Sequence, residues 1–474
     1  MEETLLKIAS TINTYLSNYL LVAMLLGVGI WYTVKTKFIQ VRCFKEGWNR
    51  VFGNLSLNGG KQESGMSSFQ ALATAIAAQV GTGNIVGSAG AIMIGGPGAI
   101  FWMWLIAFFG MATIYAEATL ALKTRTKDPE TGEIQGGPVY YITKAFPGGL
   151  GKFLAAFFAI CITLALGFMG SMAQANSIGE SMHAAFGIPT WVVGAVLVVL
   201  CGFIFIGGTQ RLASVVEKLI PIMAAIFLLG GVLVLIIRIK FVPAAFGMIF
   251  KYAFKPEAIL GGGFGAAIVA AVSQGAKRGL FSNEAGMGST PHAHAQANVA
   301  HPHEQGTVAM MGVFLDTFVV LTLNALVIIS CLYSEGGLLA ETGVACGAAG
   351  ALPVGVGGQI LSKTNLAQNA FAVAFGQKIG PAFVAICLLF FAFSTILGWN
   401  LFGKINMNYL FGKVGTKIYT AIALVLIFVG TMVGNDVIWE WTDVFNNLMV
   451  IPNVLALFAL TKMVTTSVKE KNLL

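Results

Sequence analysis

Charge is scarce in this chain. Only 10% of its 474 residues are Asp, Glu, Lys or Arg, while 57% are hydrophobic. Water-soluble domains carry about 25% charged residues. The polar surface needed by the three soluble domains that such a length would suggest, at roughly 150 residues each, is therefore missing. The chain reads as an all-α polytopic membrane protein. Six cysteines make no disulfide or metal framework. Cys161, Cys201 and Cys387 sit in apolar runs as small buried hydrophobes, and only Cys331 and Cys346 could meet on one loop side. No GxxxxGK[ST] motif and no nucleophile with a base partner is visible, which leaves primary active transport and hydrolysis unsupported. The reading is of a protein that is not an enzyme. A repeated filter loop, as a channel needs, is also missing. The first residues, MEETLLKIAS, are mixed and no small-residue cleavage site follows them, so no cleavable leader is expected.

What is present is a series of long apolar runs. A span needs about 20 such residues. Eleven transmembrane helices are expected: one near 15–35, then 66–95, 97–122, 150–180, 190–207 and 212–238, then 261–290, 305–333, 380–405, 415–433 and 438–464. These are continuous runs, unlike the short alternating strands of a membrane barrel. The excess of 28 Lys and Arg over 20 Asp and Glu, +8 in all, reports orientation and gives no reason to expect a nucleic-acid partner. Lys35, Lys37, Arg42, Lys45, Arg50 and Lys61 share one loop, Lys123 to Lys152 the next inside loop, and Lys277 and Arg278 are placed on the same side. By the positive-inside rule the N-terminus lies outside and the C-terminus in the cytoplasm, in a multi-pass cell-membrane protein.

The grouping divides the chain into an extra N-terminal helix with its loop (1–60), two five-helix units (61–240 and 241–465) and a tail (466–474). Five is odd, so the second unit enters from the opposite face, giving a 5+5 inverted-repeat core as in many secondary transporters. AIAAQVGTGN (75–84) and VAAVSQGAKR (269–278) occupy corresponding first helices. Each sets a Gln and Gly among small residues in mid-span, and 58 glycines in all is well above the roughly 7% of ordinary chains. Gly81 and Gly83 each cost about 1 kcal/mol against Ala in a helix, so both helices are expected to break there. A break exposes amides that suit a carboxylate and carbonyls that suit an ammonium or a hard cation such as sodium. A zwitterionic amino acid fits both ends. Gln79, Gly81, Thr82, Gly83 and Asn84 are the first set of candidates, with Asn84 fixing the break, and Ser273, Gln274 and Gly275 are the second. Ser394 and Thr395, deep in FAFSTILGWN, offer hydroxyls to a cation, and Trp399, one turn on, could floor the pocket for a small side chain.

GTGNIVG, AIMIGGPGAIFWMW, GAKRGLFSNEAGMGSTPHAHA and AHPHEQG resemble the alanine/glycine:cation symporter family, from about residue 66 to about 460. The resemblance implies the leucine-transporter fold with one additional helix, and uptake of a small neutral amino acid with sodium, or in some members with protons. It also implies substrate carboxylate at the amides of Gly81, Thr82 and Gly83, and a sodium site of the Ala77 and Val80 carbonyls with Ser394 and Thr395. Phe168 would be a lid or wall. A second sodium site is not expected, because Ala270 and Ala271 stand where some relatives carry a hydroxyl. Four histidines, His292, His294, His301 and His303, are read as linker residues and not as a zinc site. Asp316 is expected to pair with Lys277 or Arg278 and close the inner gate, and Glu117 and Glu217 to be paired or at the inner interface. A non-transporting amino-acid receptor of the same fold would look alike at these positions.

Overall fold

A computed structural model describes residues 2–53, 65–127, 134–254, 264–340 and 361–473. Cys346, Lys61 and Gly261 to Gly263 lie outside the described residues, and with them the expected Cys331–Cys346 pairing. Among the described residues the regular structure is helical apart from a two-residue antiparallel ladder, Thr126–Lys127 with Ile134–Gln135, and a single Met66–Ala297 bridge.

Helix α1 (Glu3–Lys35) is followed by the short surface helix α2 (Phe44–Phe52). The first broken helix comes next, as α3 (Ser68–Gln79) and α4 (Gly83–Gly95). Then follow α5 (Ala99–Thr124), α6 (Gly149–Phe186), α7 (Thr190–Ile206) and α8 (Gly208–Ile237). The remaining long elements are α9 (Phe264–Asn283), α10 (Pro302–Tyr333), α11 (Leu366–Gly430) and α12 (Asn435–Ala459), with a terminal α13 (Thr461–Glu470). Gly376 and Gly412, at φ 83° and 61°, bend α11 so sharply that it forms separate rods on either side of each. Seven helices among the described residues are long and apolar enough to cross a membrane. Exposed Val199 and Phe203 on α7 and Leu229 on α8 leave apolar side chains facing outward, which only a hydrocarbon surrounding makes favourable.

Local chemistry explains where α3 starts. Ser67 and Gln70 form a capping box: each backbone N–H donates to the other's side-chain oxygen at 3.1 Å. Helix α1 is tied to two helices by polar groups that a lipid-facing span would not carry. Asn13 Nδ2 donates to Glu440 Oε2 at 2.6 Å, Asn447 Nδ2 donates to Ser17 Oγ at 2.9 Å, and Ser273 Oγ donates to Asn18 Oδ1.

Candidate functional site

At the first break, α3 ends with Val80 in an extended conformation, and Gly81 N–H turns to Asn84 Oδ1 at 2.9 Å. Asn84 Nδ2 donates to Asp316 Oδ1 on α10 at 2.6 Å, and Asn324 Nδ2 donates to Asn84 O at 3.1 Å. Asn84 therefore fixes the break. Thr82 N–H donates to Gln174 Oε1 of α6 at 3.1 Å. Two amides expected to meet a carboxylate are thus held by side-chain carbonyl oxygens, the kind of partner a carboxylate can replace. Gln79 Nε2 donates to Asn283 O at 2.7 Å and links the two breaks directly. Three polar atoms around this break, Gln79 Oε1, Thr82 Oγ1 and Gln174 Nε2, are buried without a hydrogen-bond partner among the described residues. Orphans of this kind are costly unless a ligand or water meets them. A ligand with both donors and acceptors suits them.

The glycines are required by close approach. A Cβ on Gly81 would lie 2.2 Å from Thr395 Oγ1, and one on Gly83 would lie 3.0 Å from the Ser282 backbone. Gly81→Ala is therefore expected to reduce sodium-dependent uptake at least tenfold, because the Thr395 hydroxyl must leave its carbonyl partners. Normal uptake by a well-folded Gly81→Ala protein would show that this approach is unimportant.

On the carbonyl side, Thr395 Oγ1 sits 2.8 Å from Ala77 O, 3.0 Å from Phe391 O and 3.4 Å from Val80 O. Ser394 Oγ donates to the same Phe391 O at 2.8 Å and touches Met223 Sδ. Ala77, Val80 and Thr395 of the four residues expected at a cation are brought together, Ser394 joins them only through Phe391 O, and that carbonyl is an oxygen that side-chain chemistry could not reveal. Neutral oxygens of this sort suit a hard monovalent cation.

The second break falls elsewhere than expected. Helix α9 runs unbroken through Ser273, Gln274 and Gly275 to Asn283, and the chain unwinds over Glu284 to Thr290. Positive φ at Glu284 (59°), Gly286 (89°) and Gly288 (83°) marks the true break. Gly275 instead admits α5, since its Cβ would lie 2.5 Å from Trp102 Cβ. Ser273 faces α1, and Gln274 lines a cavity at the far end. Buried Trp399 does reach the second break: its Nε1 donates to Glu284 Oε1 at 2.5 Å and its ring packs edge-on to Phe281. Glu117 accepts from Gly286 N–H at 3.1 Å and from Asn453 Nδ2 at 2.6 Å, while Glu217 accepts from Gln70 near the start of α3.

Phe168, Asp316 and the hydroxyl of α9 meet other neighbours than those expected. Phe168 stacks on Tyr419, at 5.4 Å between ring centroids, and the side chain touching the break is Gln174. The polar run Ser171, Gln174, Asn176 and Ser177 within an apolar span was the signal for it. Asp316 pairs with neither Lys277 nor Arg278; it accepts from Asn84, Ser282 and Thr317. Lys277 Nζ and Arg278 Nη2 instead meet Asp443 Oδ2 at 2.7 and 2.9 Å. With Glu440, Lys363 and Asp436 they form a cluster beside α4, at the end of the bundle opposite the loop that carries α2. The α9 hydroxyl nearest the observed break is that of Ser282, one residue before Asn283, and it donates to Asp316.

The chain matches the sodium:alanine symporter family model over residues 2–472. It is 38% identical over 466 residues to the sodium/alanine symporter AgcS of Methanococcus maripaludis, covering 98% of this chain and 97% of that relative. It is 36% identical over 473 residues to a Bacillus subtilis protein named "Probable sodium/glutamine symporter GlnT", covering 99% and 91%. Its backbone resembles the crystal structure of MhsT in complex with L-phenylalanine, at a TM-score of 0.56 and 13% identity over 86% of this chain and 99% of that one. That likeness carries the fold alone.

Proposed function

The chain belongs to the sodium:alanine symporter family, and from that premise we propose that it couples inward sodium movement to uptake of alanine or glycine by alternating access. Sodium-coupled amino-acid uptake follows from the family and its relatives; the small substrate is our own reading. The observation that carries it is the Thr395 hydroxyl among the Ala77, Val80 and Phe391 carbonyls, next to the orphaned amide and hydroxyl groups of the first break. Substrate carboxylate replaces Gln174 Oε1 at Thr82 N–H, and sodium takes the carbonyl side. Trp399, buried at the second break, leaves little depth beyond the α-carbon.

On this reading the chain crosses the membrane eleven times, with the broken α3–α4 as one crossing, the short α7, α9 with the turn after it, and two rods of α11 added to the other long apolar helices. The N-terminus is proposed outside and the C-terminus in the cytoplasm. A tenfold sodium gradient supplies about 1.4 kcal/mol and 100 mV about 2.3 kcal/mol per charge. One sodium per neutral zwitterion thus supports an accumulation of roughly several hundredfold.

A second reading, coupling through a proton, is favoured by one observation. Asp316 is fully buried and its partners Asn84, Ser282 and Thr317 are all neutral. Radiolabelled alanine uptake into proteoliposomes separates the two. Sodium coupling requires accumulation that collapses when choline replaces sodium, and leucine should compete weakly. Uptake driven by a pH gradient without sodium would transfer the coupling to Asp316. Binding with no accumulation would make the protein a receptor, and strong leucine competition would remove Trp399 as a floor.

A further inference from the structure

The four clustered histidines do not converge. His292 bonds Ser289 O and Asn406, His294 bonds Gln305, and His301 bonds Glu470. His303 alone enters a different constellation, one formed with the surface segment between α1 and α3. Cys43 immediately precedes α2 and Glu46 lies in its first turn, so the two side chains share a face at i, i+3. His303 is the second residue of α10, which packs on α2. Cys43 Sγ, a Glu46 carboxylate oxygen and a His303 ring nitrogen all lie within 4.8 Å of one another.

From this geometry we propose that Cys43, Glu46 and His303 bind one divalent transition-metal ion of the zinc class. Zinc–ligand lengths of about 2.0–2.3 Å set tetrahedral edges of roughly 3.3–3.8 Å. The His303 Nε2 to Glu46 Oε2 distance is 3.1 Å, close to such an edge. The other ring nitrogen, Nδ1, lies 2.8 Å from the Tyr115 hydroxyl. That is the outer contact by which metal-binding histidines are usually oriented. Cys43 and His303 are buried, while Glu46 is partly exposed and leaves a way in and a place for a fourth ligand. A thiol, an imidazole and a carboxylate select a borderline-soft ion, unlike the all-oxygen cluster at Thr395. Arg50 opposes a cation, but its Nε and Nη2 both sit 3.0 Å from Oε1 of Glu46 and leave Oε2 to the site. The ion would staple α2 to the start of α10, at the end away from the Lys277–Asp443 cluster.

The test uses the purified full-length protein in detergent, dialysed against Co2+ and then Zn2+ with no other ligand. The expected result is one ion per chain, with the near-ultraviolet thiolate-to-Co2+ band that identifies sulfur coordination. Cys43→Ser should abolish that band, and His303→Gln and Glu46→Gln should each weaken binding at least tenfold. His183→Gln, at the exposed end of α6, should change neither. Failure of the unaltered protein to bind, or binding without the thiolate band, overturns the proposal without needing any variant to fold. Unchanged binding by folded Cys43→Ser and His303→Gln proteins overturns it equally.

Discussion

Thr395→Val is expected to abolish sodium-driven alanine uptake at physiological sodium, while leaving the protein folded. The substitution keeps the β-branched shape and removes one oxygen. That oxygen lies 2.8 Å from Ala77 O and 3.0 Å from Phe391 O, in a fully buried position. Water cannot simply take its place, because a methyl group would fill the volume. An interaction between a charged group and a polar partner contributes about 1.5–3 kcal/mol, equivalent to roughly ten- to a hundredfold in sodium affinity. The apparent sodium KM should rise by at least that factor, and Thr395→Ser should recover most of it. The maximal rate at very high sodium should fall less than the affinity does. Uptake measured against sodium concentration in proteoliposomes decides this, with thermal unfolding in detergent as a check on folding. An unchanged sodium KM in Thr395→Val would remove the hydroxyl from the ion site, and the Ala77 and Val80 carbonyls would lose their proposed role with it.

The two breaks show why part of this site is readable from sequence and part is not. GTGN is local chemistry. Gly81 and Gly83 weaken the helix, Asn84 reaches back three residues to the Gly81 amide, and little distant information is needed to place the turn. The Ser-Gln-Gly run at 273–275 has similar composition, yet it remains helical because Gly275 is spent on contact with Trp102 and Ala99. Whether a glycine serves a turn or a neighbour depends on the neighbour. The true break carries glycine at every second position, Gly286 and Gly288, within a run whose family resemblance was plain but whose backbone was not. Charged partners were the least readable. Asp316 and Asp443 both sit in apolar spans, and only tertiary packing decides that Lys277 and Arg278 face Asp443. Backbone ligands such as Phe391 O leave no trace in side-chain identity. Long apolar runs made the membrane-crossing helices readable, because a spanning helix must satisfy its own backbone hydrogen bonds within hydrocarbon.

The Lys277–Arg278–Asp443 cluster should control access to the site from the end lined by α4. Asp443 is 2% exposed and receives both cations, and Arg278 also lies over the Trp439 ring at 4.9 Å. Glu440 is the other acid near Lys277, at 3.6 Å and partly exposed. Asp443→Asn would leave two buried cations short of an anion, and removing one partner from a buried pair costs about 3–5 kcal/mol. The chain can relieve much of that cost by letting water in, which means opening this end. At about 1.4 kcal/mol per tenfold, the balance between closed and open shifts by roughly two to three orders of magnitude. The expected phenotype is loss of alanine accumulation with sodium and alanine binding retained. A cysteine at buried Val86, which lines the adjoining cavity, should react with a membrane-impermeant thiol reagent at least tenfold faster in the Asp443→Asn background. Replacing its three buried members together, Lys277→Met with Arg278→Met and Asp443→Leu, removes the stranded charges and should slow that labelling again, since an apolar substitute for a complete buried pair is often neutral. If Asp443→Asn transports normally and the Val86 probe stays protected, the cluster is a structural tie and the gate lies elsewhere.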